Sequence, residues 1–131
     1  MRDIRERTFD FALRIVKLCQ QLDSQPGVAR TLSRQLLRAG TSVGANMEEA
    51  QAGQSKLDFI SKNAIALKEA RETVLWLRLL TAAKILPESR LSELMTEAQE
   101  LARIIGSIIV SAKRKKSWCE YFSLFLFPFA L

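Results

Sequence analysis

The sequence predicts an all-α protein, an antiparallel bundle whose four helices run up, down, up and down. Three observations carry this. Apolar residues recur at steps of three and four through four long segments. Only 5 Gly and 3 Pro punctuate 131 residues, too few for an all-β chain with its many turns. The breaks between segments are a few residues long, and short connections between long helices make neighbours run antiparallel. A chain of this length is read as one domain, and it buries a substantial core without disulfides or metals. The bundle is assigned to residues 1–116 and a separate aromatic-rich tail to residues 117–131.

The first segment runs from about Asp3 to Leu22, with Phe11, Ile15, Leu18, Cys19 and Leu22 on one face. It stops before "DSQPG", where Pro26 suits the first turn of the next helix. The second segment, from about Pro26 to Gln51, carries Leu32, Leu36, Ala39, Val43, Met47 and Ala50 as one stripe. That stripe continues unbroken through "RAGTSVGANMEEA", so the stretch is helix and not a phosphate-cradling loop, and the Gly-Lys-Ser/Thr ending of such a loop is missing. Gly40 and Gly44 each cost a helix about 1 kcal/mol against Ala, which close approach of another backbone would offset.

Gly53 stops the second segment, and Ser55 followed by Asp58 resembles a capping box opening the third. The third segment runs from about Ser55 to Lys84, with Ile60, Ala64, Leu67, Ala70, Val74 and Leu77 as its expected core stripe. "LPES" marks the next turn. The fourth segment, from about Glu88 to Lys115, has the cleanest stripe: Leu91, Leu94, Met95, Ala98, Leu101, Ala102, Ile105, Ile108, Ile109 and Ala112. The tail differs in kind. It follows the cations Lys113 to Lys116 with Trp118, Tyr121 and four Phe in the last ten residues, has no helical period, and is interrupted by Pro128.

The chemistry offered by these residues is sparse. The chain has no histidine, which removes Ser-His and Cys-His nucleophile pairs as well as the Glu-x-x-His metal pairs of carboxylate bundles. The reading is a protein that is not an enzyme and holds no cofactor or metal. Cys19 and Cys119 are read as free thiols of a cytoplasmic protein. With 20 Lys+Arg against 14 Asp+Glu the net charge is +6, which favours anionic partners. Arg34, Arg38, Lys113, Arg114, Lys115 and Lys116 are the candidate phosphate contacts, and binding through them would be salt-sensitive. Glu69, Glu72 and Trp76 share a face of the third segment. They are read either as an intermolecular contact, with the carboxylates meeting a neighbour's arginine, or locally, with a Lys68–Glu72 pair and Trp76 covering the bundle edge. The tail admits an interfacial membrane anchor or docking on a neighbouring subunit, and its last 11 residues are too short to span a bilayer.

The segments "RAGTSVGANMEEA" and "DFISKNAIALKEARETVLWLRLL" resemble signatures of the 23S ribosomal RNA intervening-sequence proteins, with the "ILPESRL" turn and the "RIIGSIIVSAKRK" ending in support. The resemblance runs from about Phe9 to Lys115 and leaves the tail uncovered. It implies an up-down-up-down bundle assembled as a homopentameric ring. A distant relative, the accessory protein of diversity-generating retroelements, implies RNA, DNA or a reverse transcriptase as partner. In this frame Gly40 and Gly44 thin the second helix for a close neighbour, in the bundle or between subunits. Ser42 and Asn46 hydrogen-bond across that seam, and Glu49 meets a basic partner. The expected function is a non-enzymatic, homo-oligomeric bundle that binds structured nucleic acid, RNA first. A scaffold recruiting a protein partner and a tail-anchored peripheral membrane protein are the alternatives.

Overall fold

The computed structural model describes residues 2–114, and within them the only regular elements are four α-helices. They are α1 (Ile4–Leu22), α2 (Val28–Gln51), α3 (Lys56–Ala82) and α4 (Glu88–Arg114). Each helix packs on the next in the chain, and α1 meets α4 more lightly. That lighter side is bridged by Arg7 to Glu97 at 2.7 Å and Arg14 to Glu93 at 3.4 Å. The Lys115–Lys116 pair and the tail residues 117–131 lie outside the described residues.

Local chemistry explains the helix boundaries. The Asp3 carboxylate accepts from the Arg5 N–H at 2.9 Å and caps α1. The Ser55 hydroxyl accepts from the Asp58 N–H at 3.0 Å, so the expected box opens α3 with its hydroxyl half in place. Pro26 does not enter α2 as expected. Gly27 stands between them at φ +80°, a left-handed conformation that suits glycine and begins the helix only at Val28. Gly53 follows α2 for reasons of space, since a Cβ there would lie 2.7 Å from the Asp58 carboxylate and 3.1 Å from the Ala50 carbonyl. At the end of α3, Lys84 takes φ +58°, which turns the chain so that the Ile85 N–H donates to the Leu80 carbonyl at 3.1 Å.

The stripes of α1 and α2 are buried as the periodicity predicts, with Leu32 of α2 half-buried, and that of α4 is buried apart from Met95, Ala102 and Ile109, which are partly covered. On α3 the expected stripe is displaced. Ala64 is exposed and Ile60, Leu67 and Val74 are only partly covered, whereas Phe59, Asn63, Ala66, Glu69, Ala70, Thr73, Leu77 and Leu80 are buried. Apolar residues surround α3 on nearly all sides, so period alone does not choose a face. Its buried side also includes three polar residues that an apolar stripe omits. Two of them are served by their own helix: Asn63 Nδ2 donates to the Phe59 carbonyl at 2.9 Å and Thr73 Oγ1 to the Glu69 carbonyl at 2.8 Å. Burying a side chain such as Leu77 or Leu80 completely is worth roughly 1.5–3 kcal/mol, and these two anchor α3 against its neighbours.

Candidate nucleic-acid interface

Exposed cations reach the surface of this bundle in two states. Many are matched with acids. Besides the two α1–α4 bridges, Arg103 pairs with Glu100 at 2.6 Å and Arg2 with Asp10. The Glu49 carboxylate lies 2.8 Å from Lys62 and holds its ammonium above the usual lysine range. Arg38 bridges to Glu69 at 3.2 Å and also to Glu72. Glu69 is 8% exposed, so the half-exposed guanidinium neutralises a carboxylate that the core has largely removed from water.

The second group has no acid partner among the described residues, and much of it gathers along α3 and α4. Arg78 lines a groove between these helices together with Thr81, Ser92, Met95, Thr96 and Glu88. Arg71 precedes Arg78 by seven residues and so shares its face. Lys113 follows Met95 by five full helical turns and lies on the same side of α4, next to Arg114. Arg71, Arg78, Lys113 and Arg114 are all exposed. Gly106, between Met95 and Lys113, has nothing within 4 Å of the position a Cβ would take. The groove itself holds Arg78 and Glu88 among neutral polar side chains, and Arg71 on α3 and Gly106 and Lys113 on α4 lie beyond it.

The candidate phosphate contacts do not form one patch. Lys113 and Arg114 stand together at the end of α4. Arg34 lies toward the opposite end: its neighbour Ser33 hydrogen-bonds Cys19 near the end of α1, and Gln21 accepts from Arg90 at the start of α4. From that level to Lys113 is about 30 Å along α4. Arg38 is on α2, engaged with its two carboxylates.

The candidate packing residues are placed as follows. Gly40 and Gly44 face α1: a Cβ on Gly40 would lie 2.9 Å from two Ile15 side-chain carbons, and one on Gly44 would lie 3.4 Å from the Thr8 carbonyl oxygen. Ser42 and Asn46 do not bond across a seam. Asn46 Nδ2 donates to the Ser42 carbonyl at 2.8 Å and to its hydroxyl at 3.1 Å, because residues four apart on a helix are nearest neighbours. Glu49 finds its basic partner within the chain, in Lys62. The arginine that meets Glu69 and Glu72 is likewise the chain's own, and Glu72 pairs with Arg38 in place of the Lys68 that local spacing suggested. Trp76 packs half-buried against the core, and its indole N–H finds no acceptor among the described residues.

The family model described as "23S rRNA-intervening sequence protein" matches residues 2–107, most of the chain. The chain belongs to this family. A solved relative is a protein of unknown function from the S23 ribosomal protein family of Bacteroides thetaiotaomicron VPI-5482. It is 39% identical, with a TM-score of 0.75, and the likeness covers 81% of this chain and 97% of that one. No curated protein matches. As a 23S rRNA-intervening sequence protein the chain carries Arg71, Arg78 and Gly106 inside the matched region, whereas Lys113 and Arg114 lie beyond it. In the sequence Arg71 and Arg78 are two among 20 Lys+Arg and carry no motif. Their seven-residue spacing was the available signal, but an uncompensated cation is recognised only once the acids are located in space.

Proposed function

We propose that this 23S rRNA-intervening sequence protein is a non-enzymatic homo-oligomer that binds structured nucleic acid, RNA in the first place, through the α3–α4 face. One observation carries the reading: Arg71 and Arg78 on α3 and Lys113 and Arg114 on α4 are exposed without a salt bridge among the described residues, whereas Arg7, Arg14, Arg38, Lys62 and Arg103 have one. Cations left without local partners are the ones that release counterions on meeting phosphates. Lys115 and Lys116 continue the run in sequence, and Arg38 contributes less because Glu69 and Glu72 already occupy it. The absence of histidine from the sequence supports binding over catalysis.

An up-down-up-down course is supported by the bridging pairs, in which rising numbers on one helix meet falling numbers on the next: Arg7–Glu97 with Arg14–Glu93, and Arg38–Glu69 with Glu49–Lys62. A homopentameric ring is the assembly we assign from the family resemblance, in the cytoplasm. None of the described helices is long and apolar enough to cross a membrane.

Fluorescence-anisotropy titration with structured RNA and duplex DNA, at physiological salt and with excess competitor, tests the reading. Binding survives competition and prefers RNA. Arg71→Ala and Arg78→Ala each lower the salt slope by about one. Loss of all binding under competition would overturn the proposal and put a protein partner, such as a reverse transcriptase, in its place.

A further inference from the structure

Among the described residues, two surfaces gather several exposed apolar side chains each, and they differ in shape. The first is a groove between α1 and α2. Phe9 and Leu13, 63% and 42% exposed, line its α1 side with Val16, and Leu37 stands opposite. The α2 wall is low there because Thr41, Gly44 and Ala45 are small, and Gly44 sits almost on the Thr8 backbone. Arg2, Arg5, Asp3, Asp10, Glu6 and Glu48 border the Phe9 end; Arg2 pairs with Asp10 and Arg5 with Asp3, which leaves Glu6 and Glu48 without ion pairs among the described residues and the end net acidic. The second surface is a ridge on α3, where Ile65, Leu75 and Leu79 are exposed. Lys68 stands on the same ridge, also without an ion pair among the described residues. The positions Ile65, Lys68, Glu72, Leu75 and Leu79 alternate by three and four, the spacing of a helix seam that seeks a partner helix.

A groove with acids at one end and a ridge bearing a cation do not complement themselves. They complement each other. We infer that the α3 ridge of one copy seats in the α1–α2 groove of a second copy, head to tail, with Lys68 meeting Glu6 and Glu48 and with Leu75 and Leu79 covering Leu13 and Leu37. This inference rests on the self-association part of the proposed function and names the surfaces that perform it. A contact between two different patches is heterologous, so each added copy presents a fresh groove and a fresh ridge, and growth ends only when rotation closes a ring. Charge at the groove end sets the direction of docking, while the apolar contact supplies the burial.

Sedimentation of the full chain at micromolar concentration tests this with one variant per surface. Leu13→Glu and Leu79→Glu change exposed residues, and far-UV circular dichroism checks that both chains keep their helices. Each variant alone sediments as a monomer. Mixed in equal amounts they form a heterodimer that grows no further, since a single competent groove and a single competent ridge remain. Independently, Lys68→Glu weakens association at least tenfold, and adding Glu48→Lys to the same chain restores it. Two variants that associate like the unmodified chain would overturn the inference, as would folded variants that stay monomeric when mixed. An unmodified chain that is itself a monomer removes the self-association reading and this inference together, and leaves nucleic-acid binding to be judged on its own titration.

Discussion

Gly40 and Gly44 in α2 and Gly106 in α4 are helix-interior glycines with opposite surroundings. In the α1–α2 seam the missing side chains let two helices close on each other, down to Ile15 at Gly40 and the Thr8 backbone at Gly44. Beside the α3–α4 groove the missing side chain of Gly106 meets nothing. A glycine in a helix costs about 1 kcal/mol against Ala wherever it stands. At the first seam packing within the chain offsets that cost, and at the second no described residue does. The same contrast runs through the charges, since α1 bridges to α4 by ion pairs while Arg71, Arg78, Lys113 and Arg114 on α3 and α4 have no salt bridge among the described residues. One side of the bundle is matched by its own residues, and the other is not matched among the described residues.

Substitutions at these glycines break or sharpen that contrast. Gly44→Leu has the largest expected effect. Its Cβ already lies 3.4 Å from backbone, so the rest of the side chain forces α1 and α2 apart, and the chain aggregates or loses its assembly. A normally sedimenting, cooperatively melting Gly44→Leu chain would refute close packing there. Gly40→Ala comes next. The new methyl crowds Ile15, which is fully buried and stiff at χ1. Overpacking of roughly 1–3 kcal/mol outweighs the gain in helix propensity, so the denaturation midpoint falls. The same substitution at position 106 reverses sign. Gly106→Ala stabilises by about 0.5–1 kcal/mol in denaturant melts, and reduces affinity for structured RNA if a ligand approaches closely there. A destabilised Gly106→Ala would show that the groove is closed after all.

The smallest effect belongs to Cys19, buried in the α1–α2 seam, where burial raises the thiol above its ordinary range against a smaller opposing hydrogen bond with Ser33. The folded state therefore holds the proton more tightly than the unfolded chain. The contribution is fully present below the unfolded thiol value, about 8.5, and is lost as pH rises through the higher folded value. In a Cys119→Ser background, the pH dependence of melting above that point and slow labelling of Cys19 in the native chain both check it. Rapid labelling would mean that the seam opens readily.

Much of this bundle was legible in the sequence, because three helices show a clean two-sided pattern and because Ser55 and Gly53 signal their turn chemically. The face of α3 was not. Leu57, Ile65, Leu75 and Leu79 project outward while Asn63, Glu69 and Thr73 go inward, the reverse of what hydrophobicity alone assigns. The inward set is tolerated because backbone carbonyls accept from Asn63 and Thr73 and because Arg38 meets Glu69, all of which depend on three-dimensional neighbours. The candidate site suffered from the same blindness to partners. Arg38 reads as a free cation until Glu69 and Glu72 are placed beside it, and Arg71 reads as ordinary solvated charge until no acid is found near it.

That inward supply of hydrogen bonds along α3 has a consequence for how the protein changes over generations. Asn63 Nδ2, Thr73 and Glu69 on its buried side are met from within the chain, and Ile65, Lys68, Leu75 and Leu79 on its outward side stay exposed. Under the head-to-tail docking inferred above, replacements at Ile65, Lys68, Leu75 or Leu79 alter association before they alter folding. A lineage carrying this bundle is free to exchange partners by rewriting one helix face, while the core that makes it recognisable stays untouched.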